Sequence, residues 1–296
     1  MTPLDGARLE RVDVGGAELA CWVAGDDGAP LVICAHGFPD CARSFRAQIP
    51  ALVGAGHRVV APYLRGYSPS TTARDERYHA AALAADLCAL ARHYSPGAPA
   101  ALVGHDWGAI AAYAACALAP SLFSRLCTIA VPHLRAVAAH GPSRAQLARS
   151  WYIGLFQLPL IAEQRLTAEN FALIDRLWRD WSPGFSAPAA ELDEVKASMA
   201  GTEHVRAVLA YYRALVSWSA LAGESRRLLF ARTRVPSLYV HGRDDGCMGV
   251  ELVEGAERAY SAGVDVRILD GAGHFAHQEK PADVNRLLVE FLALSQ

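Results

Sequence analysis

Val103-Gly104-His105-Asp106-Trp107-Gly108 stands between a short apolar run, Ala101 to Val103, and an alanine-rich stretch, Ala109 to Leu118. The run reads as a buried strand and the stretch as a helix. Glycines flanking a central residue at such a junction permit a sharp, strained turn. That turn holds the central side chain up at the strand end and at the helix N-terminus. Here the central residue is Asp106. A plain G-x-x-x-G turn with a helix-capping aspartate would use the same letters, so the rest of the chain must decide between them.

Working outward, residues 11–24 read as two short strands around Gly15-Gly16, and Leu31 to Ala35 as a buried strand. Arg43 to Gly54 is helix-like, His57 to Ala61 a strand, and Ala80 to His93 carries apolar residues at helical spacing. Beyond the turn, Leu126 to Val131 is again a strand. After Pro132 the rhythm becomes helical until about residue 228, with Trp and Tyr concentrated there. Ser237 to Val240, a helix around Val250 to Tyr260, Val264 to Leu269 and a closing helix from Ala282 to Leu294 restore the alternation. Strands alternating with helices predict an α/β fold: a mostly parallel eight-stranded sheet flanked by helices. The core is expected at 1–133 and 229–296, with 134–228 inserted as a helical cap over the strand ends, where open α/β sheets bind ligands.

Hydrophobic residues at 52% and charged residues at 20% fit one large core. A formal charge of −2 gives no electrostatic basis for binding nucleic acid or an anionic membrane. No apolar run reaches the ~18 residues of a membrane span, and Met1 to Gly16 lacks the apolar stretch of a secretory signal. Seven cysteines at irregular spacings predict buried thiols in a reducing cytoplasm. No phosphate loop, dinucleotide G-x-G-x-x-G or metal-ligand spacing is present, so no cofactor and no metal are implied.

Three more segments bear on Asp106. Ala35-His36-Gly37-Phe38-Pro39 follows a strand, where the backbone N–H groups of Phe38 and Trp107 would face a developing negative charge. Val240-His241-Gly242-Arg243-Asp244-Asp245 ends the strand after the cap; Asp245 is the candidate to orient a histidine. Gly271-Ala272-Gly273-His274-Phe275 places His274 on a glycine-rich loop after the last strand, as general base. The order Asp106, Asp245, His274 is the nucleophile–acid–base order of the α/β-hydrolase fold. His36 and His105 are candidates to line the site. A carboxylate nucleophile is already ionised at pH 7 and needs no base to attack an sp³ carbon. The base is needed only afterwards, to hydrolyse the ester.

His36-Gly37-Phe38-Pro39, Arg65-Gly66-Tyr67-Ser68, Gly104-His105-Asp106-Trp107-Gly108 and Gly273-His274 resemble the epoxide hydrolase branch of that superfamily. Trp151-Tyr152-Ile153-Gly154-Leu155-Phe156-Gln157 and Tyr211-Tyr212-Arg213 resemble its two lid segments. The resemblance implies that Tyr152 and Tyr212 hold the epoxide oxygen and donate a proton as the ring opens, with Tyr211 the alternative if the register slips by one. It implies a small epoxide and water as the partners. A haloalkane dehalogenase is the competing reading, since Trp107 suits a halide. Against it, Phe38 stands where one dehalogenase group has Asn, and fluoroacetate dehalogenases carry Arg at the position of Trp107. A non-catalytic receptor of this fold would be expected to lose a triad member, and all three are here.

Overall fold

A computed structural model describes residues 3–141, 143–217 and 223–294. Eight strands form one sheet: β1 (Ala7–Asp13), β2 (Glu18–Ala24), β3 (Leu31–Ala35), β4 (Arg58–Pro62), β5 (Ala100–His105), β6 (Phe123–Ile129), β7 (Ser237–Gly242) and β8 (Val264–Leu269). Their spatial order is β1-β2-β4-β3-β5-β6-β7-β8. β1 and β2 pair antiparallel, β2 joins β4 antiparallel, and the remaining pairings are parallel. Every residue of β3, β4, β5 and β7 is buried, which is why these strands are continuous apolar runs without alternation. In edge strand β8 buried positions give way to half-buried and exposed ones. The cysteines are free and buried. Among the described residues no helix is long and apolar enough to cross a membrane.

Helices α2 (Ala80–Tyr94) and α3 (Trp107–Leu118) cover one stretch of the sheet, while α1 (Gln48–Gly54) packs on the closing helix Pro281–Ala293. Two expected helices come out differently. Arg43 to Gly54 is split into a 3-10 turn, Ala42–Phe45, and α1. Pro50 has no N–H to bond back four residues, so it is tolerated only in a first turn. The segment around Val250 to Tyr260 is two 3-10 turns, Val250–Val253 and Ala256–Ala259, separated by Gly255 at φ +74°.

Between β6 and β7 the described residues hold helices α4 (Leu134–His140), α5 (Arg144–Arg149), α6 (Trp151–Phe156), α7 (Ile161–Trp181), α8 (Ala189–Met199) and α9 (Thr202–Val216), then Glu224–Leu229. Helices α5 to α9 pack on one another. The two ends of the insertion lie on core elements: α4 on the paired 3-10 turns, and Glu224–Leu229 on α2 and α3. The inserted helices are also bonded to the loops at the strand ends. Trp178 donates its indole N–H to Pro39 O at 2.8 Å, and Trp181 O accepts the N–H groups of His274 and Gly246 at 3.0 Å each.

Candidate active site

Asp106 occupies the junction of β5 and α3 with φ +51° and ψ −117°, a conformation that costs about 1–3 kcal/mol in a non-glycine residue. Its neighbours permit the turn. A Cβ on Gly108 would lie 2.0 Å from Ala35 O, and one on Gly104 would lie 2.4 Å from Gly108 O. Only hydrogen fits where β5, α3 and β3 meet. Gly37 is the third such contact: a Cβ there would fall 2.3 Å from Asp106 Oδ1 and 2.6 Å from the Trp107 nitrogen. This closeness lets Phe38 N–H donate to Asp106 Oδ1 at 2.7 Å. Trp107 is the first residue of α3, and the N–H groups of a first turn have no partner within their own helix.

The other carboxylate oxygen, Oδ2, lies 3.6 Å from His274 Nε2. His274 Nδ1 donates to Asp245 Oδ2 at 2.9 Å, which sets the tautomer and aims Nε2 at Asp106. Asp245 is held in turn by the N–H groups of Cys247 and Met248, at 2.7 and 2.8 Å from its Oδ1. Its neighbour Asp244 is exposed, so the two adjacent acids are separated by orientation. Burial alone would depress the imidazole, but Asp245 and then Asp106 outweigh it and raise His274 to about 10. Burial likewise works to raise Asp106, and His274 with Phe38 N–H outweighs it, holding the carboxyl below its usual range.

Over this group stand the lid aromatics. Tyr212 packs edge-on against Phe38 at 5.3 Å, Trp107 at 5.2 Å and Tyr152 at 5.6 Å. Tyr152 also meets Trp181 and Phe156, at 5.0 and 5.7 Å. Among the described residues the buried Tyr212 hydroxyl has no hydrogen-bond partner of good geometry, whereas that of Tyr152 lies 3.4 Å from Cys247 Sγ. Burial drives both phenols well above their ordinary pKa, and the Asp106 charge adds to it, so both keep their protons at neutral pH. Tyr211, one residue earlier on α9, turns about 100° away. Its hydroxyl donates to Arg65 O at 2.7 Å, tying α9 to the Arg65 turn.

The α/β-hydrolase fold family matches residues 30–281. Epoxide hydrolase A of Mycobacterium tuberculosis is 33% identical over 97% of this chain and 98% of its own. The crystal structure of epoxide hydrolase A from Mycobacterium thermoresistibile superposes with a TM-score of 0.80 at 30% identity, covering 97% of this chain and 98% of that one. The AB hydrolase superfamily protein YfhM of Bacillus subtilis is 29% identical over 98% of this chain and 99% of its own. The chain belongs to the epoxide hydrolase family of the α/β-hydrolase fold.

In this epoxide hydrolase family member, the two histidines expected to line the site lie beneath it. His36 Nδ1 donates to Gly37 O at 2.9 Å and Nε2 accepts Leu64 N–H at 3.0 Å, so both ring nitrogens brace the loop carrying Phe38. Burial lowers its pKa to about 4, consistent with the neutral ring that this pattern needs. His105 Nε2 donates to His274 O at 3.0 Å; burial, then the charge of His274, lowers it to about 3. Both bond to loop backbone beside the site: His36 through both ring nitrogens, His105 through Nε2.

Among the described residues, two triplets of buried ligand-type side chains have donor atoms within 4.8 Å of one another: Asp40, His105 and His277, and Asp245, Cys247 and His274. An ion in the second would compete for the His274 nitrogen and the Asp245 carboxylate that bond to each other. Sequence reading did not single out Cys247, Phe156, Trp181 or Gln146. Gln146 donates to Cys247 O at 2.8 Å and accepts Gly249 N–H at 3.0 Å, fastening α5 to the turn that bears Asp245. No motif marks such a bond, because its partners lie about a hundred positions apart.

Proposed function

We propose that this protein is an epoxide hydrolase working through an Asp106 ester. The observation that carries the reading is a pair of buried phenols beside the Asp106 carboxylate: Tyr212 packs on Phe38, Trp107 and Tyr152, and the Asp106 charge acts on both hydroxyls. In the first step Asp106 Oδ2 attacks an epoxide carbon, and a C–O ester bond forms as the ring C–O bond breaks. The electron pair goes to the ring oxygen, which takes a proton from a lid phenol. Oδ1, already bonded to Phe38 N–H, becomes the ester carbonyl oxygen.

Alkylation removes the Asp106 charge, one of the two carboxylates that hold His274 protonated. The imidazole therefore becomes more readily neutral at the point where a base is needed. Nε2 takes a proton from water, and the hydroxide attacks Asp106 Cγ. The oxyanion builds up on Oδ1, facing Phe38 N–H and the first-turn N–H of Trp107. Collapse expels the diol, with His274 returning its proton to the leaving oxygen; the second water proton passes from the new Asp106 carboxyl to the lid phenolate, which restores the phenol and the carboxylate, the latter with one oxygen from water.

A side-by-side assay with an epoxide panel and a haloalkane panel tests this, reading diol in one and halide in the other. Diol without halide is the expected result. Halide without diol would make the protein a dehalogenase and reduce the lid tyrosines to packing; neither product would favour a non-catalytic binding protein.

A further inference from the structure

Cys247 stands at the joint between catalytic acid and lid. Its N–H donates to Asp245 Oδ1 at 2.7 Å, its carbonyl accepts Gln146 Nε2 at 2.8 Å, and its sulfur lies 3.4 Å from the Tyr152 hydroxyl. Both backbone groups are fixed, so the sulfur is held against the phenol instead of swinging freely. The two phenols therefore differ: Tyr152 has this partner, and Tyr212 has none of good geometry among the described residues. Either atom can donate across this contact, but once the Tyr152 proton points at a substrate the thiol is the group of the pair left to donate. Burial and the Asp245 and Asp106 carboxylates keep that thiol protonated.

We propose that Cys247 is a positioning residue for ring opening, its S–H donating to Tyr152 Oη while Tyr152 delivers its own proton to the epoxide oxygen. As that proton leaves, negative charge develops on Oη, and a hydrogen bond to the charged form strengthens the phenol as an acid. Cys247 keeps its proton throughout; the only transfer is from Tyr152 to the ring oxygen, as the Asp106 ester bond forms. The inference rests on the epoxide hydrolase reading above. It assigns Cys247 no part in ester hydrolysis, which uses His274 and water.

Single-turnover kinetics with styrene oxide separate the two steps, and the variants are Cys247→Val, Cys247→Ala and Cys247→Ser, each in native and Tyr152→Phe backgrounds. In the native background Cys247→Val and Cys247→Ala should slow alkylation of Asp106 by about 3- to 10-fold, the scale of one lost hydrogen bond. Ester hydrolysis should stay within about twofold, and Cys247→Ser should restore alkylation. In Tyr152→Phe, where Tyr212 alone donates, Cys247→Val should cost nothing further. A residue that merely fills space would slow both steps, or slow them equally in both backgrounds, and either result overturns the proposal. Unchanged alkylation in folded Cys247→Val and Cys247→Ala overturns it too. Failure of the native enzyme to form any adduct or diol would instead sink the epoxide reading, and this proposal with it.

Discussion

Gly37→Ala adds one methyl group where the site has no room for it. The new carbon would lie 2.3 Å from Asp106 Oδ1, 2.4 Å from Asp106 Cβ and 2.6 Å from the Trp107 nitrogen. Ordinary carbon contacts begin near 3.5 Å, so relief needs a displacement of about 1 Å. None of the three atoms sits on a flexible side-chain end: two belong to the nucleophile, held by a strained turn, and one to the backbone of α3. The loop bearing Phe38 must move instead. Lengthening the 2.7 Å bond from Phe38 N–H to Oδ1 by that amount takes it beyond hydrogen-bonding range. Loss of one such donor typically costs about 10²–10³ in kcat. Overpacking should add about 1–3 kcal/mol of lost stability. Steady-state diol formation and single-turnover ester decay measure the first, urea melts the second. Because the donor serves the oxyanion, ester decay should slow more than ester formation. A folded Gly37→Ala protein with ester decay within about threefold of native would refute the oxyanion assignment of Phe38.

His274→Ala should still alkylate Asp106 and then stall, leaving the intact protein heavier by one substrate; no mass increase after exposure to an epoxide that the native enzyme opens would refute the two-step route. The His274 imidazole, raised to about 10 in the fold from an ordinary 6.5, contributes stability that is complete below pH 6.5 and lost as pH rises toward 10. Denaturant melts at pH 6, 8 and 10 should show that decline, and Asp106→Asn, which removes one raising carboxylate, should flatten it; parallel curves would count against the coupling. Arg65 and Asp86 form a buried pair with two bonds of 2.6 Å. Arg65→Ala, which strands the Asp86 carboxylate, should cost about 3–5 kcal/mol in urea unfolding, and a loss under 1 kcal/mol would show that solvent reaches the pair.

What could be read from the sequence was whatever local sterics dictate. Gly104 is required by a 2.4 Å contact within one strand–turn–helix and Gly108 by a 2.0 Å contact to neighbouring β3, and both stand in the six letters that mark the turn around Asp106. Asp245 sits in the turn after β7, a buried apolar run, whereas His274 was marked by the glycines of the loop after edge strand β8, whose apolar residues alternate with polar ones. For His36 and His105 the sequence shows closeness to the motifs of the site but not which way each ring points. Successive side chains near a strand end point to opposite sides; thus His105, beside Asp106, bonds to the carbonyl of His274 below. The choice between Tyr211 and Tyr212 needed the rotation of α9 about its axis, which is set by what its other faces meet. Tyr211 meets Arg65 O, and Gln157 donates to Tyr212 O. The contact of Cys247 with Tyr152 spans 95 positions and depends on how the lid is seated. On the proposed reading, the carboxylate nucleophile and its base are thus written into strand-end turns, whereas the proton donors depend on lid packing. Substitutions in the inserted helices should therefore change which epoxides are opened, and how fast, while leaving ester hydrolysis to the core.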